Sequence, residues 1–99
     1  MIRTINANDN KENPMAEKTV TVGSAIGLHA RPAAIIAEAV VNAGVPVTLS
    51  VDGGEPVDAG SALMIMTLGA ANGAQVTVAS DDAAILATVA ELVEQDLDA

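Results

Sequence analysis

Not one of the 99 residues is Phe, Tyr, Trp or Cys. No disulfide can therefore staple this chain, and its core must be packed from Ala, Val, Ile, Leu and Met alone. The material for such a core is present. Hydrophobic residues make up 51% of the chain, too many for a disordered acidic segment. A chain of this length builds one domain with a modest stability margin. Without cysteine there is neither a thiolate metal site nor a cysteine nucleophile. A single histidine, His29, speaks against a histidine-based metal centre. No metal and no cofactor are expected. A formal charge of -9 without stacking aromatics argues against nucleic acid. The longest apolar stretches, such as Ala62–Leu68, fall far short of the roughly 20 residues a spanning helix needs. The first 15 residues contain no apolar core of a secretory signal. The expectation is a cytoplasmic protein that binds neither membrane nor nucleic acid.

Met1–Pro14 is polar and carries Asn6, Asn8, Asn10 and Asn13. It reads either as a disordered tail or as residues upstream of a start at Met15. The domain is then expected over 16–99, with 1–15 outside it. From Thr19 the patterning sharpens. Val20 and Val22 alternate with Thr19 and Thr21, the mark of a half-buried strand. Gly23–Leu28 is a loop. In Ala30–Ala43, Ala33, Ile36, Ala37 and Val40 recur at helical spacing and predict the buried face. Arg31, Ile35, Glu38 and Asn42 share the opposite face. Gly44 and Pro46 stop the helix.

Val47, Leu49 and Val51 predict a second strand. Asp52-Gly53-Gly54 predicts a hairpin turn, followed by a short strand at Glu55–Asp58. Ser61 caps a short helix running through Leu68 and closed by Gly69. Gln75–Ala79 predicts a fourth strand. Ser80 or Asp81 is expected to cap a last helix, whose apolar positions Ile85, Leu86, Val89, Leu92, Val93 and Leu97 form one stripe. Acidic residues gather at the end of that helix and oppose its dipole, so its last turn should fray. The order β-α-β-β-α-β-α closes most naturally as an α+β domain. It is a four-stranded antiparallel sheet with three helices on one face.

The residues that carry chemistry are Gly27-Leu28-His29-Ala30-Arg31-Pro32-Ala33-Ala34. His29 stands where a glycine-containing loop enters a helix. Pro32 is tolerated in a first turn, whose N–H groups have no partner within the helix. The backbone N–H groups of Ala30 and Arg31 face out of the helix end, a site that favours phosphate. Arg31 adds a full charge and a planar fork suited to phosphate oxygens. Between Thr19 and Ala37 there is no acidic residue. From Ala16 onward Lys18 and Arg31 are the only Lys or Arg. A nucleophilic imidazole, anion-binding amides and a guanidinium together suit a histidine that receives and passes on a phosphoryl group. As residues alone, His29 reads equally well as a simple cap or a solvated loop residue.

This segment resembles the histidine signature of the HPr family, phosphocarriers of the bacterial phosphoenolpyruvate:sugar phosphotransferase system. It matches at every position of Gly27–Ala34, and the resemblance extends over about Ala16–Leu97. It implies an open-faced β-sandwich and a carrier rather than an enzyme with its own turnover. It implies phosphorylation of His29 at Nδ1, with Arg31 and the first-turn amides of Ala30 and Arg31 stabilising the phosphoryl group. Phospho-enzyme I would be the donor and EIIA-type proteins the acceptors. Carriers serving dihydroxyacetone phosphorylation or a nitrogen-regulatory branch are the alternative. The resemblance also implies a second site, Ser61, open to a serine kinase. On its own residues Ser61 is first a helix cap.

Leu63, Met64, Met66 and Leu68 cannot all point inward on a short helix. Leu63 and Met66, with Ile35, are the candidates for contact with partners. Met64 and Leu68 are expected in the core. A monomer is expected. Three positions depart from the family's habits. Glu38 and Val41 stand where basic residues are common, and Ile26 stands where a polar residue is usual. Gly60 and Ala62 also make the surroundings of Ser61 atypical. Electrostatic steering of a partner then rests on Arg31 and little else.

Overall fold

The computed structural model describes residues 16–97. The expected tail, 1–15, lies outside the described residues. The chain forms β1 (Ala16–Thr21), α1 (Ala30–Ala43), β2 (Val47–Val51), β3 (Val57–Asp58), α2 (Ala62–Thr67), β4 (Gln75–Ser80) and α3 (Ala83–Glu94). The four strands make one antiparallel sheet in the order β1-β4-β2-β3. This is the expected open-faced arrangement.

Alternation decides the two faces of the sheet. Val20 pairs with Val76, Leu49 with Val78, and Val47 with Ser80. All six are buried under the helices. Thr19, Thr21 and Gln75 are exposed on the opposite face. There Thr19 and Thr77 share a hydroxyl hydrogen bond of 2.8 Å, and Gln75 donates to the Thr21 hydroxyl. Cross-strand pairs of this kind hold a solvated face in register.

The helices meet the sheet through aliphatic side chains. Ala33, Ile36, Ala37 and Val40 of α1 are buried as the 3.6-residue period requires. From α3 come Ile85, Leu86, Val89, Ala90 and Val93. The six-residue α2 buries Ile65 completely. Truncating Ile65 to Ala would cost about 2–5 kcal/mol and detach this helix from the core.

Several boundaries differ from the sequence expectation. The third strand spans only Val57–Asp58, because Pro56 has no N–H to give a ladder. The middle helix ends at Thr67 with Leu68 as its cap, and Gly69 takes the left-handed turn at φ 63. The last helix is capped by Asp82 rather than Ser80 or Asp81. The Asp82 carboxylate accepts from the N–H groups of Ala84 (2.9 Å) and Ile85 (3.2 Å). Ser80 is buried in β4 and donates to the Pro46 carbonyl. Its hydroxyl also receives the Asp82 N–H. The helix stops at Glu94, with Gln95 extended. Leu97 therefore lies outside the helical stripe.

Candidate functional site

His29 caps α1 with its backbone alone, its carbonyl accepting the Ala33 N–H at 2.9 Å. Its backbone is extended (φ -91, ψ -162), and its side chain makes no capping hydrogen bond. The side chain is exposed. The imidazole stays in solvent at the positive end of a 14-residue helix. Ala30 and Arg31 follow as the first two helical residues, so their N–H groups have no partner within the helix. Pro32 comes third and is buried beside Ala33. The helix start is thereby anchored while His29 and Arg31 remain accessible.

Gly27 aims this presentation. Its φ of +82 lies in the left-handed region. A Cβ there would sit 2.5 Å from the Ala70 carbonyl oxygen and 2.9 Å from the Ala71 Cα. Both the backbone angle and the space demand glycine. The next residue, Leu28, is buried and donates its N–H to the same Ala70 carbonyl at 2.9 Å. His29 is thus set out between buried Leu28 and buried Pro32.

A shallow depression of about 200 Å³ opens beside the imidazole, lined by Ile26, Leu28, His29, Met66, Gly69, Ala70 and Ala71. The structure thus brings Met66 to the histidine. Leu63 is 69% exposed, and Ile35 is half-buried on α1. Met64, expected in the core, is instead 40% exposed. With only six residues, α2 turns Ile65 fully inward, half-buries Ala62 and Met66 against the core, and leaves Leu63 and Met64 outside. Leu68 is half-buried against the core. Sequence reasoning missed Ile26 as part of the lining. It is 64% exposed, as is Val41, and a large apolar residue in a glycine-bounded loop was the available signal.

Arg31 does not hang free. Its Nε donates to the Leu97 carbonyl at 3.3 Å. The loop leading to His29 is held from the far side by Asn72, whose amide donates to the carbonyls of Ser24 (3.1 Å), Gly23 (3.4 Å) and Val22 (3.5 Å). Asn72 carried no chemical signature in the sequence beyond its place before Gly73.

Ser61 caps α2. Its hydroxyl accepts the Met64 N–H at 3.2 Å, and its backbone is extended. The cap reading therefore describes what the residue does in the fold. Among the described residues no cluster of three or more His, Cys, Asp or Glu is placed to hold a metal ion. No helix among them is long and apolar enough to cross a membrane.

A family model described as the PTS HPr component phosphorylation site matches residues 16–95. The HPr family includes this chain. Phosphocarrier protein HPr of Streptomyces coelicolor is 46% identical over 87 residues, covering 85% of this chain and 94% of the relative. Among solved structures, the phosphocarrier protein HPr from Bacillus anthracis superposes with a TM-score of 0.73 at 32% identity. That match covers 82% of this chain and 99% of the other. The HPr-C-His structure from Thermoanaerobacter tengcongensis gives 0.76 at 27% identity, over 86% and 98%. As an HPr, the protein is a phosphocarrier of the phosphotransferase system rather than an enzyme in itself. The matched segment contains the whole of Gly27–Ala34 and Ser61.

Proposed function

We propose that His29 accepts a phosphoryl group at Nδ1 from phospho-enzyme I, itself charged from phosphoenolpyruvate, and passes it to EIIA-type proteins for sugar uptake. The observation that carries this reading is the exposed His29 side chain, left uncapped at the start of α1 between the Gly27 turn and Arg31. In uptake the lone pair of His29 Nδ1 attacks phosphorus as the bond from phosphorus to enzyme I breaks; in delivery the acceptor's nucleophile attacks phosphorus and Nδ1 leaves with the electron pair of the N–P bond. Nothing in that exchange needs a second base. Catalysis reduces to positioning and to stabilising charge on the equatorial oxygens. The amides of Ala30 and Arg31 and the Arg31 guanidinium supply that stabilisation.

Ile35, Leu63 and Met66 form the contact surface for both partners; of the three, Met66 lines the depression beside the imidazole. The protein works as a cytoplasmic monomer. Ser61 is a cap that a serine kinase could also modify, since phosphate at a helix N-cap is compatible with the helix.

The test is incubation with phosphoenolpyruvate and cognate enzyme I. One acid-labile phosphoryl group should appear by intact mass, and His29→Ala should abolish it. Absence of phosphorylation with every cognate enzyme I would overturn the reading. Charging only by the enzyme I of a dihydroxyacetone or nitrogen-regulatory branch would reassign the pathway and keep the chemistry. An acid-stable, ATP-dependent phosphate on Ser61 in cell extract would establish the kinase site.

A further inference from the structure

We infer that Ser24 is a positioning residue for the phosphoryl site, acting on Arg31 through the backbone of Leu97. The inference rests on the acceptor role proposed for His29. Ser24 and Ser80 are the two fully buried polar side chains among the described residues. The Ser80 hydroxyl serves the chain path from β4 into α3. The Ser24 hydroxyl serves a different segment. It donates to the Gln95 carbonyl at 3.4 Å and accepts the Leu97 N–H at 3.3 Å. The carbonyl of that same Leu97 receives Arg31 Nε. One buried hydroxyl thus fixes one end of a residue whose other end holds the guanidinium.

The neighbouring geometry shows that this junction is built closely. Gly23 donates its N–H to the Val93 carbonyl at 3.0 Å. A Cβ on Gly23 would lie 1.8 Å from the Glu94 carbonyl oxygen. The end of α3 is therefore pressed onto the loop at a distance only glycine permits. Gln95 then leaves the helix in extended conformation. That departure carries Leu97 across to Arg31 instead of along a helical stripe. Asn72 clamps the same loop on its other side.

Arginine has five N–H donors in a rigid fork. Engaging Nε on a carbonyl fixes the plane of the fork and leaves both terminal nitrogens for phosphoryl oxygens. An exposed arginine without such a hold must be ordered when the phosphoryl group arrives, and that ordering slows transfer.

Two measurements on the full chain test this. The sequence has two arginines, Arg3 and Arg31, so the Arg31 Nε–H signal is readily assigned by 15N NMR. In the unphosphorylated protein that N–H should exchange slowly with water, and Ser24→Ala should remove the protection. In transfer from enzyme I, Ser24→Ala should lower kcat about fivefold, the scale of one lost hydrogen bond, with KM unchanged. In an Arg31→Lys background Ser24→Ala should cost nothing further. Should Ser24→Ala fail to fold, Leu97→Pro deletes the Leu97 N–H while keeping the Ser24 hydroxyl and its bond to the Gln95 carbonyl, and it should reproduce both effects. An Arg31 signal indifferent to Ser24→Ala overturns the inference, as does an undiminished loss in the Arg31→Lys background. The NMR measurement needs no phosphoryl transfer. A wild-type chain that accepts no phosphoryl group would therefore overturn the proposed function, while the Arg31 signal still decides the role of Ser24.

Discussion

Replacing Gly27 by alanine should be the most damaging single-methyl change in the site loop, and Gly44→Ala provides its control. Both glycines have positive φ, 82 and 73. Holding an L-residue there costs roughly 1–2 kcal/mol. A smaller gain from a less flexible unfolded chain offsets part of this equally in both variants. At Gly44 nothing lies within 4 Å of an added Cβ, so the conformational cost is the whole effect. At Gly27 the methyl would meet the Ala70 carbonyl oxygen at 2.5 Å. That oxygen is backbone and also receives the Leu28 N–H. Relief of the clash therefore sacrifices a hydrogen bond worth about 1 kcal/mol and unseats the buried Leu28.

The expected cost is about 1 kcal/mol for Gly44→Ala and about 3 kcal/mol for Gly27→Ala. For a domain of this size the latter lowers Tm by roughly 10–20 °C. Urea or thermal melts followed by far-UV circular dichroism measure both, since a chain without aromatics has no intrinsic fluorescence to follow. Gly27→Ala should also slow phosphoryl uptake from enzyme I at temperatures where it remains folded, because His29 moves with Leu28. Gly44→Ala should leave uptake unchanged. Equal destabilisation by the two substitutions would refute the steric argument.

Asp82→Ala should cost about 1 kcal/mol in a urea melt through loss of the α3 cap, while Asp81→Ala should be near neutral. Ser61→Ala should cost a similar amount, and Ser61→Asp should restore most of it, because a carboxylate can accept the Met64 N–H. Asn72→Ala removes a donor shared by three loop carbonyls. It should destabilise by about 1–2 kcal/mol and raise amide exchange selectively at Val22–Leu28. With Ile26, Val41 and Leu63 exposed in a strongly acidic chain, partner recognition should lean on apolar contact. Raising salt from about 50 to about 500 mM should then change kcat/KM for transfer by less than about threefold, and Leu63→Ala should lower it at every salt concentration.

The elements were legible where a period could be counted. Fourteen residues of α1 give four turns, enough for Ala33, Ile36, Ala37 and Val40 to define a face. Strand alternation likewise fixed which side of the sheet Val76 and Val78 occupy. The element order and the open-faced closure followed from the one-sided patterning. Resemblance added the family in which that closure recurs. Where the count was short, the reading failed. The six residues of α2 span too few turns to separate core from surface, so Met64 was misplaced. At the start of α3 three consecutive residues could each cap a helix. Burial of Ser80 in β4, which no local pattern reports, takes it out of that competition, and Asp82 is the one whose carboxylate meets the free N–H groups.

The site divides along the same line. His29, Arg31, Gly27 and the first-turn amides are adjacent in sequence, so their meeting is dictated by the local geometry of a loop entering a helix. The parts that hold them are remote. Ser24 meets Gln95 across 71 residues, Arg31 meets Leu97 across 66, and Asn72 meets Ser24 across 48. Each of these contacts has a backbone carbonyl as acceptor, and every residue has one, so no choice of partner residue type marks them in the sequence. What does mark them is a requirement for absence. Gly23 and Gly27 are both pressed by other backbone, yet Gly23 reads as an ordinary loop glycine. A serine beside it, buried with no side-chain partner, is legible as a support for Arg31 only once the extended path after Glu94 is known. The chemistry proposed for this carrier is written locally around His29. Its alignment depends on close backbone packing between the loop and the end of α3, which only the folded chain displays.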